Sequence, residues 1–229
     1  MLLLAATAAS RLVSAMIEVR GSQSAIRRAY NFFSYFYGFT VSLFERGAIA
    51  RGLAKLEIAP GDRVLEVAVG TGAAFKRLIE RAGAGGFVVG VDITAGMLAA
   101  TRRAAPRAPL VQADARKLPF PAASFDVAWS SYFLDLVPTG ELPRVLAEFR
   151  RLLRPRGRLY LVNFSKQGEE PILWERLYVR TPTWLVPCIF GSCRPVQIEP
   201  FLRDAGFVRI EREFVPGMMS SEIVIARIA

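Results

Sequence analysis

The chain has no histidine, and its 229 residues include only two cysteines and four lysines, against 26 arginines. Without an imidazole, no mechanism that needs a His base or a His metal ligand is available. Cys188 and Cys193 form a lone C-x4-C spacing with no second pair, which argues against a zinc site, and no metal is expected. Two thiols, with no basic segment ahead of an apolar leader, suggest a reducing, cytoplasmic setting. Long apolar runs are missing as well. Residues 2–9 stop at Arg11, residues 12–19 carry Glu18, and neither run approaches the roughly 20 residues a membrane span needs. The first twenty residues read either as an interfacial amphipathic helix or as an extension upstream of an alternative start at Met16. There is also no block of six or more like charges, so a nucleic-acid tail is not expected. The net charge of +10 reads as a solvated Arg-rich surface, or as a basic face for anionic lipid or an acidic substrate.

What is present is enough apolar material, 52% of the chain, for one α/β domain with a substantial core. Residues 24–57 look helical and form an N-terminal lid or extension (residues 1–57). Tyr30, Phe32, Phe33, Tyr35, Phe36, Tyr37 and Phe39 crowd one end of it, and Gly38 marks a break. From residue 58 to 229 the pattern alternates. Strands are expected over 63–67, 87–91, 110–112, 125–130 and 158–163, and helices over 73–81, 94–105 and 141–153. Thr94 stands where a cap is wanted. Alternating units of this kind imply a parallel sheet covered by helices on both faces. The C-terminal stretch departs from the pattern. A helix over 196–205 precedes two strands, 207–214 and 222–228, joined too closely for a crossover and therefore antiparallel. The expected fold is a three-layer, Rossmann-like, seven-stranded α/β sheet whose last strand is reversed.

Val64-Leu65-Glu66-Val67-Ala68-Val69-Gly70-Thr71-Gly72 is the most informative stretch. A buried strand carries an acidic residue and runs into a glycine turn that opens a helix, the position where open α/β sheets bind nucleotide-like ligands. A dinucleotide fingerprint would want glycine at 68, 70 and 73, and the chain has Ala68, Gly70 and Ala73. Glu66 would also repel a pyrophosphate, but it would attract an ammonium. Asp92 closes the second strand and can accept from ribose hydroxyls. Asp114, followed by Ala115, closes the third strand and can accept from an exocyclic amine.

These residues resemble motif I, (D/E)-x-G-x-G-x-G, of class I S-adenosylmethionine (SAM) methyltransferases, with Ala68 replacing the first glycine. An alanine there is expected to be tolerated at negative φ. The resemblance is to the ubiquinone/menaquinone C-methyltransferase branch, often called type 11. It rests on residues 90–98 (G-V-D-I-T-A-G-M-L), 114–126 (D-A-R-K-L-P-F-P-A-A-S-F-D) and 148–157, ending in R-P-R-G. It implies SAM as cofactor, held by Glu66, Ala68, Gly70, Thr71, Gly72, Asp92, Asp114, Ala115 and Ser131. Ile93 and Leu98 would sandwich the adenine, with Met97 alongside.

The resemblance fades over 132–138 and over 166–200. Direct SN2 transfer needs alignment and desolvation, and a carbon or phenol acceptor also needs a proton removed. Asp135, Tyr132, Glu169 and Glu170 are the candidates for that role, with Asp135 first. Tyr30, Tyr35, Trp174, Tyr178, Trp184 and Phe190 either line an apolar acceptor site or are core, and Arg194 is a candidate anion contact. The reading is a methyltransferase acting on a small lipophilic or aromatic acceptor. The alternatives are a membrane-surface enzyme acting on a quinone or phospholipid head group, and a non-catalytic SAM-binding regulator. A nucleic-acid methyltransferase would want an Asn/Asp-Pro-Pro-Tyr/Phe motif after the fourth strand, where the chain has Ser130-Ser131-Tyr132-Phe133.

Overall fold

Apolar strands and amphipathic helices alternate along most of the chain, and that alternation builds a seven-stranded sheet. The computed structural model describes residues 16–33, 42–165, 172–217 and 220–229. Helices α1 (Gln23–Phe33) and α2 (Ser42–Ala54) come first. They are followed by β1 (Arg63–Val67), α3 (Ala73–Ala82), β2 (Phe87–Asp92), α4 (Ala95–Ala104), β3 (Leu110–Gln112) and β4 (Phe125–Ser131). Next are α5 (Leu142–Leu152), β5 (Leu153–Phe164), α6 (Leu173–Arg180), α7 (Val186–Phe190), α8 (Glu199–Asp204), β6 (Val208–Val215) and β7 (Ser221–Arg227). The sheet order is β3-β2-β1-β4-β5-β7-β6. The pairs from β3 through β5 are parallel, and β7 is antiparallel to both β5 and β6, as the terminal hairpin implied.

Side-chain alternation along the strands splits the core into two layers. Leu65 and Val67 of β1, Ala128 of β4, Leu159 and Leu161 of β5 and Val224 of β7 face α5 and α8. Val64, Val127, Trp129, Tyr160, Val162 and Ile223 face the opposite layer, which holds Leu53 of α2 and Phe75 and Leu78 of α3. Helix α2 lies close on the sheet at Gly52, where a Cβ would come within 2.9 Å of Trp129 and 3.0 Å of Val162.

Several expected boundaries change, each for a local reason. The helical stretch expected over 24–57 is resolved as α1 and α2, and its break at Gly38 falls outside the described residues. Thr94 sits at the N-cap of α4 but makes no side-chain cap bond, because its hydroxyl donates to Asp92 Oδ1 at 2.7 Å instead. Strand β5 starts at Leu153, not Arg158. Arg154-Pro155-Arg156-Gly157 forms an irregularity in which Leu153 already pairs with Phe125 and Arg156 takes φ 64°. The helix expected over 196–205 shrinks to Glu199–Asp204, since the Val196 N–H donates to the Phe164 carbonyl at 2.9 Å. Helices α6 and α7 were not foreseen.

Candidate active site

The carboxyl ends of β1, β2, β3 and β4 open into one cavity of about 830 Å³, within the roughly 300–1,000 Å³ of small-molecule sites. Helices α1 and α2 contribute Ile26, Tyr30, Ile49 and Leu53 to its lining, and α3 contributes Arg77.

The β1–α3 turn is held from three sides. Asp92 Oδ2 accepts the Gly70 N–H at 3.1 Å, the Thr101 hydroxyl donates to the Gly70 carbonyl at 2.8 Å, and the Gly72 N–H donates to the Val69 carbonyl at 2.9 Å. Gly72 has φ 85°, and a Cβ there would meet Thr101 at 3.0–3.2 Å. It packs α3 on α4 and is not part of the cavity lining. Ala68 does line the cavity, and it departs from expectation: its φ is +62°, in the left-handed region where a Cβ is penalised. Tyr132, at the end of β4, also has a positive φ, 50°. Two non-glycine residues in this region at neighbouring strand ends mark locally stored strain, which concentrates at functional sites.

The three strand-end carboxylates differ sharply. Glu66 is almost wholly buried, and its Oε2 has no hydrogen-bond partner among the described residues. Desolvation, reinforced by the nearby Asp92, pushes its carboxyl well above the usual range. Asp92 is also raised by burial. Its rise is opposed by the Thr94 N–H and hydroxyl on Oδ1, at 2.9 and 2.7 Å, and by the Gly70 N–H. Asp114 is held below the usual range, chiefly by the Arg116 guanidinium, whose Nε lies 2.9 and 3.1 Å from its two oxygens.

Most of the expected cofactor residues meet at this cavity: Glu66, Ala68, Gly70, Thr71, Asp92, Ile93, Met97, Asp114, Ala115 and Ser131 all line it. Leu98 does not; it is partly buried and packs against the core layer on the α2–α3 side of the sheet. Of the acceptor-side candidates, Tyr30 and Tyr132 line the cavity. The Tyr30 hydroxyl donates to the Gly191 carbonyl at 2.8 Å, and the Tyr132 hydroxyl lies 2.7 Å from Ser221 Oγ.

Asp135 is placed differently from expectation. It is fully buried outside the cavity lining, and its Oδ2 accepts the Phe164 N–H at 3.0 Å. Arg194 is likewise sealed inside. Its Nη2 donates to the Val137 carbonyl at 2.8 Å, and burial lowers its affinity for a proton. Trp174 packs against Phe164 and Phe190, away from the cavity. Tyr35, Glu169 and Glu170 fall outside the described residues.

Sequence reasoning missed Thr101, Arg116 and the arginines of the rim. The Asp-x-Arg spacing was a usable signal for Arg116. For the rim no local signal exists, because Arg27, Arg46 and Arg77 come from three helices. All three line the cavity and form no ion pair among the described residues.

A family model described as a methyltransferase domain matches residues 64–157. A demethylmenaquinone methyltransferase of Symbiobacterium thermophilum is 30% identical over 190 residues, covering 71% of this chain and 75% of the relative. Nocamycin O-methyltransferase of Saccharothrix syringae is 40% identical over 123 residues, covering 52% of this chain but only 43% of that protein. Among solved structures, an S-adenosylmethionine-dependent methyltransferase from Mesorhizobium loti superposes with a TM-score of 0.61 at 25% identity, covering 79% of this chain and 97% of that one. The chain belongs to the class I SAM-dependent methyltransferases, in the branch that resembles the ubiquinone/menaquinone enzymes. Among the described residues, no helix is long and apolar enough to cross a membrane.

Proposed function

We propose that this methyltransferase acts on a small lipophilic or aromatic acceptor. One observation carries the reading: the cavity that holds the strand-end carboxylates is also lined by Ile26, Tyr30, Ile49, Leu53, Tyr132, Leu136 and Val137. One cavity therefore offers polar groups for a cofactor and an apolar, aromatic surface for a second ligand. In this reading residues 1–57 form the helical lid of the SAM-binding domain over 58–229.

The donor set fits SAM. The unpartnered Glu66 oxygen would take its ammonium, Asp92 retains acceptor capacity for ribose hydroxyls, and Ile93, Met97 and Ala115 would border the base. When bound, the cofactor supplies an electrophilic methyl on a sulfonium leaving group that needs no acid. The chain is left to align the acceptor, exclude water and, for a phenol or carbon acid, take up a proton. We assign the last role to Tyr132, the proton-acceptor candidate that lines the cavity among the described residues, with Ser221 as its hydrogen-bond partner. A quinone ring suits such a wall, and the name of the Symbiobacterium relative supports it. The name of the nocamycin relative keeps oxygen acceptors in play.

The test uses methyl-tritiated SAM and a cell extract split into organic and aqueous phases. Label is expected in the organic phase. Label confined to water-soluble or macromolecular fractions would overturn the lipophilic reading.

A further inference from the structure

Eight large apolar side chains are prominently exposed among the described residues, and five of them, Leu173, Leu177, Val179, Trp184 and Ile189, fall on α6, α7 and the turn between. Leu173 is 72% exposed and Trp184 76%. Helix α6 turns its other side inward, with Glu175 and Tyr178 buried. Large exposed apolar side chains concentrated in one segment in this way mark an interaction surface.

Its charge decides the partner. Between residues 172 and 198 the charged residues are Glu175, Arg176, Arg180 and Arg194. Glu175 and Arg194 are buried, while Arg176 and Arg180 are exposed and unpaired among the described residues. Among the described residues 172–198, the outward-facing side chains are thus leucine, isoleucine, valine and tryptophan with two guanidiniums and no exposed carboxylate. That composition suits the headgroup level of an anionic bilayer, where tryptophan sits at the boundary and arginine meets lipid phosphate. A second copy of the chain fits poorly, since a two-fold contact would bring four arginines together with no exposed carboxylate of the described residues 172–198 to offset them.

The face also connects to the cavity. Trp174 stacks on Phe164 with ring centroids 6.1 Å apart, and Phe164 meets Tyr132 at 5.3 Å. At the far end of α7, the Gly191 carbonyl accepts from Tyr30, a cavity residue.

We propose that the α6–α7 face is a docking surface for an anionic phospholipid bilayer, which it binds through Trp184, Leu173 and Leu177 with Arg176 and Arg180 on lipid phosphates. The surface goes beyond the methyl-transfer reading and stands without it.

Co-sedimentation of the full chain with phosphatidylcholine vesicles, with and without phosphatidylglycerol, tests it. Binding is expected with the anionic vesicles and to weaken as salt rises. Arg176→Gln with Arg180→Gln should reduce partitioning at low salt by about 10- to 30-fold, taking roughly 1 kcal/mol for each basic residue near the surface. Leu177→Ser with Trp184→Ser should reduce it at least about tenfold, from the apolar area withdrawn. Calorimetric SAM binding by these variants should be unchanged, since none of the four residues lines the cavity, and this separates loss of the face from loss of the fold. In the unmodified chain, brominated lipid should quench tryptophan emission, because Trp184 is exposed while Trp129 is fully buried. Sedimentation with vesicles without quenching would overturn the proposal. So would equal binding by the Leu177/Trp184 variant, or a solution dimer that the same variant abolishes.

Discussion

The cavity has two walls of different origin. The strand-end wall comes from short consecutive segments: Glu66 with the turn to Gly72, Asp92–Thr94, and Asp114–Arg116. The second wall takes Tyr30, Ile49 and Arg77 from three helices and Tyr132 from the end of β4. On the first wall, side chains are fixed by hydrogen bonds to neighbouring backbone, as when Asp92 receives the N–H groups of Gly70 and Thr94. On the second, they are fixed by packing and by distant partners, as when Tyr30 reaches Gly191 and Tyr132 reaches Ser221. A wall built locally binds the ligand shared by a family, whereas a wall assembled from distant segments can change with each acceptor.

The largest expected effect comes from breaking the first wall at its centre. Asp92→Ala removes the acceptor of three hydrogen bonds that hold the β1–α3 turn and the start of α4. Bonds to a charged group contribute about 1.5–3 kcal/mol each, so SAM affinity should fall by at least about 100-fold and the melting temperature should drop. Calorimetry and a thermal melt check this. Affinity within a few-fold of wild type would show that the turn does not depend on Asp92.

The second wall is probed by Tyr132→Phe, which keeps the ring and removes the hydroxyl. Turnover on a phenol or carbon acceptor should fall by about 100-fold, the low end for general acid–base catalysis, while SAM affinity stays the same. Equal loss of SAM binding would move Tyr132 to the cofactor wall.

Glu66→Gln sharpens the contrast within the first wall. The folded state holds Glu66 protonated to higher pH than the unfolded chain does, because burial disfavours its charge. Its contribution to stability is therefore fully present below the unfolded value near 4.3 and is lost as pH rises toward the raised folded value. Removing the charge should stabilise the ligand-free protein at pH 8 and weaken SAM binding by about 10- to 100-fold, the scale of one charge-assisted bond. A bound ammonium favours the ionised form, so binding to wild type should release a proton, read by calorimetry in buffers of different ionisation enthalpy. In the Gln variant that release should vanish.

This difference in construction also sets what the sequence disclosed. Strand β3 and the carboxyl ends of β1 and β2 were legible because each signal lies within a few residues: an apolar run, an acid, a glycine or threonine. The reversed β7 was legible because a short connection leaves no room for a crossover. Asp135 was misplaced because its position after β4 says nothing of rotation. The short helical turn that begins at Leu134 buries it against Phe164. The residues at 196–198 looked helical from their neighbours, but the Val196 N–H is bonded to the Phe164 carbonyl instead of within a helix. The rim arginines of α1, α2 and α3 leave no trace in any window shorter than the fold itself.

The smallest expected effect is at Ala68, where the chain departs from the family's glycine pattern. Left-handed φ costs a residue with a Cβ about 1–2 kcal/mol, and Ala68 sits there at 62°. Glycine removes that cost but gives the unfolded chain more freedom, worth about 0.5–1 kcal/mol in the opposite direction. Ala68→Gly should therefore stabilise the protein by about 0.5–1 kcal/mol, a melting shift of roughly 1–4 °C at this chain length. SAM affinity should change little, because the backbone at this position already has the conformation glycine would adopt freely. A lower melting temperature for the glycine variant would mean that the alanine methyl group packs favourably enough to outweigh its strain. The departure from the motif would then contribute to this wall's stability.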